Sequence, residues 1–389
     1  MPEVQNSTDG GRPIYLDHQS TTPVDSRVAA LMVDVMTTRF GNAASADHFY
    51  GEEASALVAG AATEVAALVG ASPNQVRFTS GATEAIRLAF QIARSQADRP
   101  LRVAASRAEH RAVLDQLERM ERAGTAAVEW LSVDYAGKVA LPEIARVLTD
   151  GVDLLCLMAA NNEVGTLHSV QEAAERARDA GAEILVDATQ AAGLVELDAE
   201  SWGIDYLVLS GHKLYGPKGV GALIGPLART DAADAAAGHA GTTNVPAVAG
   251  LGLACRIARE GMPEFAYHLR GIRDRLETAL KSEIPGLVVN GDRLHRLPHN
   301  LHVSVPGAPN HAVVARLRRE VAISTGAACS SGAQEPSHVL RAMGLSDELQ
   351  ETALRISPGR GTSLQDADQA AEAIIRAALA VRSEVRECA

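Results

Sequence analysis

The chain has 389 residues, 47% of them hydrophobic, which is enough to bury a sizeable core and predicts two domains. With 36 basic against 48 acidic residues the net charge is −12, which argues against an intrinsic surface for nucleic acid or for an acidic membrane. Four cysteines, Cys156, Cys255, Cys329 and Cys388, are too few and too scattered for a disulfide framework or a zinc finger, a pattern that suits a reducing cytoplasm.

Residues 1 to 12 are polar and glycine-rich and read as a loose tail without the basic and apolar regions of an export signal. No run of roughly 18 apolar residues follows anywhere, so no membrane span is expected. Ile14 to Leu16 reads as a short strand, and Asp17-His18-Gln19-Ser20-Thr21-Thr22-Pro23 as a turn rich in hydrogen-bonding side chains. Helices are predicted over about 26–38 and 52–68. Val76 to Thr79 is a strand, and Ser80-Gly81-Ala82-Thr83-Glu84 turns into a helix running to about Ala93. A strand, a turn of small residues and a helix start point backbone N–H groups and the positive end of the helix dipole at an anion, and a phosphate suits that place. The same segment also fits an ordinary capping box with Ser80 or Thr83 as the cap.

Strands over 101–105, 128–132, 154–159, 184–186, 206–209 and 220–224 then alternate with helices over 112–123, 141–148 and 171–180. That alternation predicts a mostly parallel sheet covered on both faces, with ligands bound beyond the strands' carboxyl ends. Those ends carry Thr79-Ser80, Glu109-His110, Asn161-Asn162-Glu163, Asp187-Ala188-Thr189-Gln190 and Ser210-Gly211-His212-Lys213, so polar groups converge on one rim. Helices over about 248–260 and 264–281 lead to a second domain. There, strands are predicted over 287–289, 300–305, 322–324 and 353–357, with helices over 311–319 and 366–382.

Lys213 stands out on that rim. The buried strand Tyr206 to Leu209 delivers it into a turn closed by Gly216 and Pro217, away from other charges. Partial desolvation favours a nucleophilic amine able to form a Schiff base with an aldehyde, for which pyridoxal phosphate is the obvious candidate.

The order of motifs resembles the class V, fold-type I pyridoxal-phosphate enzymes, and within them the cysteine desulfurases that supply sulfur for iron–sulfur clusters and thio-modified RNA. The matching segments are Tyr-Leu-Asp with Thr-Thr-Pro (15 to 23), Thr-Ser-Gly-Ala-Thr-Glu (79 to 84), Glu-His-Arg-Ala-Val-Leu-Asp (109 to 115), Asn-Asn-Glu-Val-Gly (161 to 165), Asp-Ala-Thr-Gln (187 to 190), Ser-Gly-His-Lys-Leu-Tyr-Gly-Pro-Lys-Gly (210 to 219), Ala-Cys-Ser-Ser (328 to 331) and Leu-Arg-Ile-Ser-Pro-Gly-Arg (354 to 360). Together they span nearly the whole chain. The resemblance implies an α/β fold: a large domain over 13–258 with a mostly parallel seven-stranded sheet, and a smaller α+β domain over 259–389, with residues 1–12 nearby.

It also implies roles. Lys213 would hold the cofactor covalently and then shuttle a proton, and Asp187 would pair with the protonated pyridine nitrogen. His110 would stack on the ring and act in catalysis, Gln190 would bond the phenolic oxygen, and Ala82, Thr83, Ser210 and His212 would cradle the phosphate. Thr242 would reach that phosphate from the neighbouring subunit of a homodimer. Asn162 and Arg355 would bind the substrate carboxylate, a planar anion that guanidinium grips at two points. No metal is implied.

Cys329 decides the reaction. It lies in a run of small residues, Ser324 to Ala333, that reads as an exposed loop. In the resembling enzymes this thiol attacks the sulfur of bound L-cysteine, leaving L-alanine and a persulfide for a sulfur-acceptor protein. Cys156 and Cys255 read as core residues, and Cys388 as a bystander or a secondary sulfur acceptor.

Three departures from the family pattern are expected to matter. His18, Gln19 and Ser20 bring polarity to the mouth of the site; the stretch Ala235 to Ala240 is shortened, with His239 where arginine is common; and the chain ends at Cys388-Ala389 without the long tail of housekeeping members, which makes a specialised acceptor the expectation. The rivals are a carbon–sulfur lyase working by β-elimination, a selenocysteine lyase, and a catalytically weak subunit that docks partners.

Overall fold

The computed structural model describes residues 12–226, 241–326 and 337–388. After β1 (Ile14–Tyr15) come α1 (Ser26–Thr37) and α2 (Phe49–Leu68). The chain then alternates through β2 (Val76–Thr79), α3 (Ala82–Ser95), β3 (Leu101–Ser106), α4 (Arg111–Arg122), β4 (Ala126–Leu131), α5 (Leu141–Thr149), β5 (Leu154–Met158), α6 (Val170–Asp179) and β6 (Glu183–Asp187). A short α7 (Ala199–Trp202) precedes β7 (Tyr206–Ser210) and β8 (Gly221–Ile224). These strands make the expected seven-stranded sheet, in the order β2-β8-β7-β6-β5-β3-β4, and β8 alone runs antiparallel to its neighbours.

The central strands β5, β6 and β7 carry continuous apolar runs because both faces of the sheet are covered. Leu155, Leu157 and Ile184 pack with Ile144 of α5 and Ala173 of α6. On the other face, Cys156, Leu185 and Tyr206 pack with Phe90 of α3 and Leu117 of α4. Burial pushes the thiol pKa values of Cys156 and Cys255 up, as suits core residues.

One element differs from the sequence reading. The two helices expected over 248–260 and 264–281 are a single rod, α8 (Val245–Glu283), with Pro263 inside it. Proline there removes one N–H and crowds the carbonyl four residues earlier. The rod survives because it is fixed at both ends: Val248, Leu251 and Cys255 lie in the sheet's core, and Ile272, Leu276 and Leu280 in the C-terminal core.

The rest of the chain forms β9 (Val288–Val289), β10 (Leu301–Ser304), α9 (Asn310–Leu317), β11 (Val321–Ala322), α10 (His338–Ala342), α11 (Asp347–Glu351), β12 (Ala353–Ile356) and α12 (Leu364–Cys388). An antiparallel sheet β12-β10-β9 lies here, and β11 pairs in parallel with β1. Ile14 and Leu16 are therefore buried in the C-terminal core, beside Leu301 and Ile374. The strand-like pairing continues as Ser357 N donates to Leu16 O at 2.7 Å and His18 N to Ser357 O at 3.0 Å. Residues 17 to 22 then cross from this core to the large sheet. A second tie between the two halves is Arg360, whose guanidinium lies 4.3 Å from the Tyr215 ring and 4.1 Å from that of Phe265. Among the described residues, no helix is long and apolar enough to cross a membrane.

Candidate active site

β7 ends at Ser210, and a single tight turn, Gly211–Lys213, carries the lysine off the strand's carboxyl end. The half-buried Lys213 Nζ donates to Ser20 O at 2.7 Å and also to Gln19 O. The two segments are zipped together: Thr22 N and Thr22 Oγ1 both donate to His212 O, at 2.9 and 3.0 Å, and Tyr215 N donates to Thr22 Oγ1 at 2.9 Å. Tyr215, at φ 61°, is the one non-glycine residue among those described that adopts the left-handed region. Strain of this kind collects where a site must be held in a set geometry.

The phosphate-type end is built from β2 and α3. Gly81, at φ 153°, caps α3, and among the described residues the helix start has no side-chain cap. Ser80 is not the cap: its N and Oγ both donate to Glu84 Oε2 at 2.6 Å, and Thr83 stands inside the first turn. The alternative of an ordinary Ser80 or Thr83 cap is thus excluded. Ala82 and Thr83, in that first turn, line the cleft together with Ser210 and His212. His212 Nδ1 lies 3.2 Å from Thr21 Oγ1, and burial, reinforced by the nearby Lys213 and Lys218 charges, lowers its pKa to about 4. It is neutral at physiological pH.

The ring-type centre comes from β5, β6 and the start of α4. Asp187 ends β6 in register with Met158, and its Oδ1 accepts from Thr189 N at 2.9 Å. His110 caps α4, its Nδ1 accepting from Ala112 N at 3.1 Å. Burial lowers the His110 pKa, the Asp187 charge opposes that, and Lys213 adds to it. Gln190 Nε2 donates to Gln19 O at 3.0 Å. Behind this layer Glu109 is fully buried, with Oε1 accepting from Met158 N at 2.9 Å. Burial raises its pKa from 4.5 to about 8, with the Met158 bond opposing and the Asp187 charge assisting.

That shift carries a prediction. Between 4.5 and about 8 the folded Glu109 keeps a proton that the unfolded chain has released, so its contribution to stability is fully present below 4.5 and is lost as pH rises to about 8. At about 1.4 kcal/mol per pH unit the decline amounts to a few kcal/mol. In urea titrations from pH 5 to 9, Glu109→Gln should flatten that decline; an unchanged slope would place the titrating group elsewhere.

At the far end Arg355, on β12 and 2% exposed, donates to Asp17 Oδ1 at 2.7 Å and to Asn162 O at 3.0 Å. Its Nε and the Asn162 Oδ1 are buried polar atoms without a partner among the described residues. A carboxylate-bearing ligand suits this end.

Ala82, Thr83, His110, Asn162, Asp187, Gln190, Ser210, His212, Lys213 and Arg355 thus line one cleft of about 520 Å³. Two predicted residues are not among them. Thr242 is exposed just ahead of α8, outside the cleft of its own chain, and Cys329 lies outside the described residues. His18 corrects an expectation, since it is not at the mouth. Its buried ring has Nδ1 3.2 Å from Ser357 O and meets the Tyr15 ring edge-on at 4.8 Å, and burial lowers its pKa to about 4. Gln19 and Ser20 do line the cleft. Gln19 is the hub that motif reading missed: its carbonyl holds Lys213 and Gln190, its N–H bonds Ser357 Oγ at 3.1 Å, and its Oε1 accepts from Asn300 Nδ2 at 2.7 Å. A lysine, a buried carboxylate and an uncapped helix start on three sides of one cleft fit an aldehyde cofactor bearing a phosphate and a basic ring nitrogen.

Comparison with known proteins agrees. The Aminotransferase class-V family model matches residues 14–238 and 229–369. The chain is 38% identical over 367 residues to "Cysteine desulfurase IscS" of Anaeromyxobacter dehalogenans, covering 92% of this chain and 90% of that one. Among solved structures it superposes on a "NifS-like protein" with TM-score 0.85 and 30% identity, covering 94% of this chain and 98% of that one. It also superposes on "SspA in complex with cysteine" with TM-score 0.77 and 27% identity, covering 89% and 99%. The chain belongs to the class-V aminotransferase family, on its cysteine desulfurase branch.

Proposed function

We propose that this enzyme is a pyridoxal-phosphate-dependent cysteine desulfurase that converts L-cysteine to L-alanine and carries the sulfur as a persulfide on Cys329. The observation that carries the reading is the placement of Lys213, Asp187, the uncapped start of α3 and Arg355 around one cleft. A solved relative in complex with cysteine supports the choice of substrate.

Bound pyridoxal phosphate supplies an electron sink for bonds at the substrate's α-carbon. The start of α3 at Ala82 and Thr83 would hold its phosphate with Ser210 and neutral His212, while Asp187 would keep the ring-nitrogen proton, Gln190 would bond the phenolic oxygen and His110 would lie against the ring. Arg355 and Asn162 fix the substrate carboxylate, and Lys213 moves a proton at the α-carbon. The Cys329 thiolate attacks the substrate sulfur: the new S–S bond forms, the Cβ–S bond breaks with its electrons going to carbon, and protonation there gives alanine. A thiol of the acceptor protein then takes the outer sulfur.

The assembly we propose is a homodimer in which Thr242 completes the phosphate site of the neighbouring subunit. Met36, Phe40, Phe49 and Tyr50 are 49–69% exposed, and the Phe40 and Tyr50 rings stack with centroids 5.4 Å apart. They lie at the ends of α1 and α2, whose Val35 and Ala54 pack on Val245 just after Thr242. An exposed apolar patch of this kind, beside an exposed Thr242 that lies outside the cleft of its own chain, favours a second copy. We further propose a cytoplasmic enzyme supplying iron–sulfur or thio-nucleoside assembly through that acceptor, without direct contact with nucleic acid or membrane, and a domain boundary within α8 near residue 258.

The test is product analysis with L-cysteine and a reductant. Native protein should yield equal alanine and sulfide, and Cys329→Ala should abolish both. Pyruvate surviving the substitution would make the protein a β-eliminating lyase instead.

A further inference from the structure

Gln19 and Asn300 are 1% and 0% exposed, and their side chains meet beneath the cleft: Asn300 Nδ2 donates to Gln19 Oε1 at 2.7 Å. The same Nδ2 donates to Glu163 O at 2.8 Å, which ties the pair to the turn over 161–165 that carries Asn162. Within that turn Asn161 Oδ1 accepts from the N–H groups of Glu163 and Val164, at 2.9 and 3.0 Å. Gly165 closes it at φ 76°, and a Cβ added there would collide with the Asn300 side chain, so the turn packs directly on Asn300. Asn162 O is then approached by two donors, Arg355 Nη1 at 3.0 Å and Gln19 Nε2 at 3.5 Å. The arrangement leaves Asn300 Oδ1 buried without a partner among the described residues, a cost that an apolar pair in the same space would avoid.

The backbone of Gln19 is held independently of its side chain. Its N donates to Ser357 Oγ at 3.1 Å, and the preceding His18 N donates to Ser357 O at 3.0 Å. The carbonyl that receives Lys213 and Gln190 is therefore placed by Ser357, just beyond β12. The side chain serves the other end of the cleft, where Asn162 and Arg355 lie. Changing only the side chain should disturb the carboxylate end and spare the lysine.

We propose that the Gln19–Asn300 side-chain pair is a positioning device for the substrate carboxylate, fixing the Asn162 turn against Arg355 so that both ligands are set before substrate arrives. This rests on the reading of Asn162 and Arg355 as the carboxylate ligands.

The experiment uses the holoenzyme and the variants Gln19→Met, Asn300→Leu, their double variant and, as a reference, Arg355→Ala. Gln19→Met and Asn300→Leu keep roughly the native volume and remove the hydrogen bonds. The absorbance change of the bound cofactor reports L-cysteine binding, and alanine formed in a single turnover at saturating cysteine reports the rate. Gln19→Met should raise half-saturating cysteine about 5- to 10-fold while changing the saturated rate by no more than about threefold, the signature of lost binding rather than lost chemistry. Asn300→Leu should do the same. The double variant should be no more than about twofold worse than the weaker single variant, because the two side chains act as one unit. Half-saturation within about twofold of native in Gln19→Met would overturn the proposal, even with a lowered urea midpoint, since the pair would then be structural only. So would effects that multiply in the double variant, or a lost rate with native binding, which would place the pair at the lysine end. Should Asn300→Leu fail to fold, the split between binding and rate in Gln19→Met decides alone. Native-like cysteine binding in Arg355→Ala would instead overturn the carboxylate reading, and the proposal with it.

Discussion

Lys213→Ala should purify without the visible colour of a lysine-bound pyridoxal cofactor and lose desulfuration by at least ~10³-fold, since one substitution removes both the covalent attachment and the proton shuttle. The cleft offers a second amine, Lys218, which makes the prediction a discriminating one. Lys213 Nζ is held in place by the carbonyls of Gln19 and Ser20, whereas Lys218 is exposed on the turn beyond Tyr215. Borohydride reduction of the native enzyme followed by peptide mapping should therefore find the cofactor on Lys213 alone. Colour that persists in Lys213→Ala, or an adduct on Lys218, would reassign the attachment.

The second large effect is expected at Arg355. Its guanidinium bridges Asp17 and Asn162 while nearly buried, with the Asp17 carboxyl side chain only 19% exposed. Arg355→Ala should raise KM for L-cysteine about 10²-fold, the equivalent of losing roughly 2–3 kcal/mol of charge-assisted hydrogen bonding. It should also destabilise the fold by about 3 kcal/mol, because Asp17 is left as an unpaired and largely buried charge. Arg355→Lys separates the two consequences. An ammonium can answer the Asp17 charge but cannot fork to Asn162 as well, so it should recover stability in urea titrations more fully than KM. Equal recovery of both would mean that charge alone matters at this position.

The sheet and its rim were legible because each strand carries its own signal. Leu154 to Met158 and Tyr206 to Leu209 are apolar at every position, and polar residues begin soon after them at Asn161 and Ser210, so strand ends and ligand-facing groups could be read together. Local reading failed where the decisive partners are far apart in the chain. The continuity of α8 through Pro263 depends on two cores that grip its ends. Gln19 has no motif of its own; its importance comes from Lys213, Gln190 and Asn300, which lie more than a hundred residues away. The turn that carries Asn162 was visible only as Asn-Asn-Glu-Val-Gly, and nothing in that string announces Asn300. His18 was misplaced for the complementary reason. Its polarity suggested an open mouth, but the backbone pairing of residues 16 to 18 with Ser357 turns the ring inward, where Gly359 leaves room for it: a Cβ there would collide with the His18 ring.

The crossing of residues 17 to 22 sets an order on the birth of the enzyme. The carbonyls that steady Lys213 belong to Gln19 and Ser20, yet their position depends on β1 pairing with Val321–Ala322 and on Leu16 and His18 pairing with Ser357. On a ribosome delivering the chain from its first residue, the large sheet from β2 to β8 is complete long before those partners emerge. A nascent chain with its sheet already assembled thus still lacks the placed carbonyls of Gln19 and Ser20, and the cleft takes its final form only with the last part of the polypeptide.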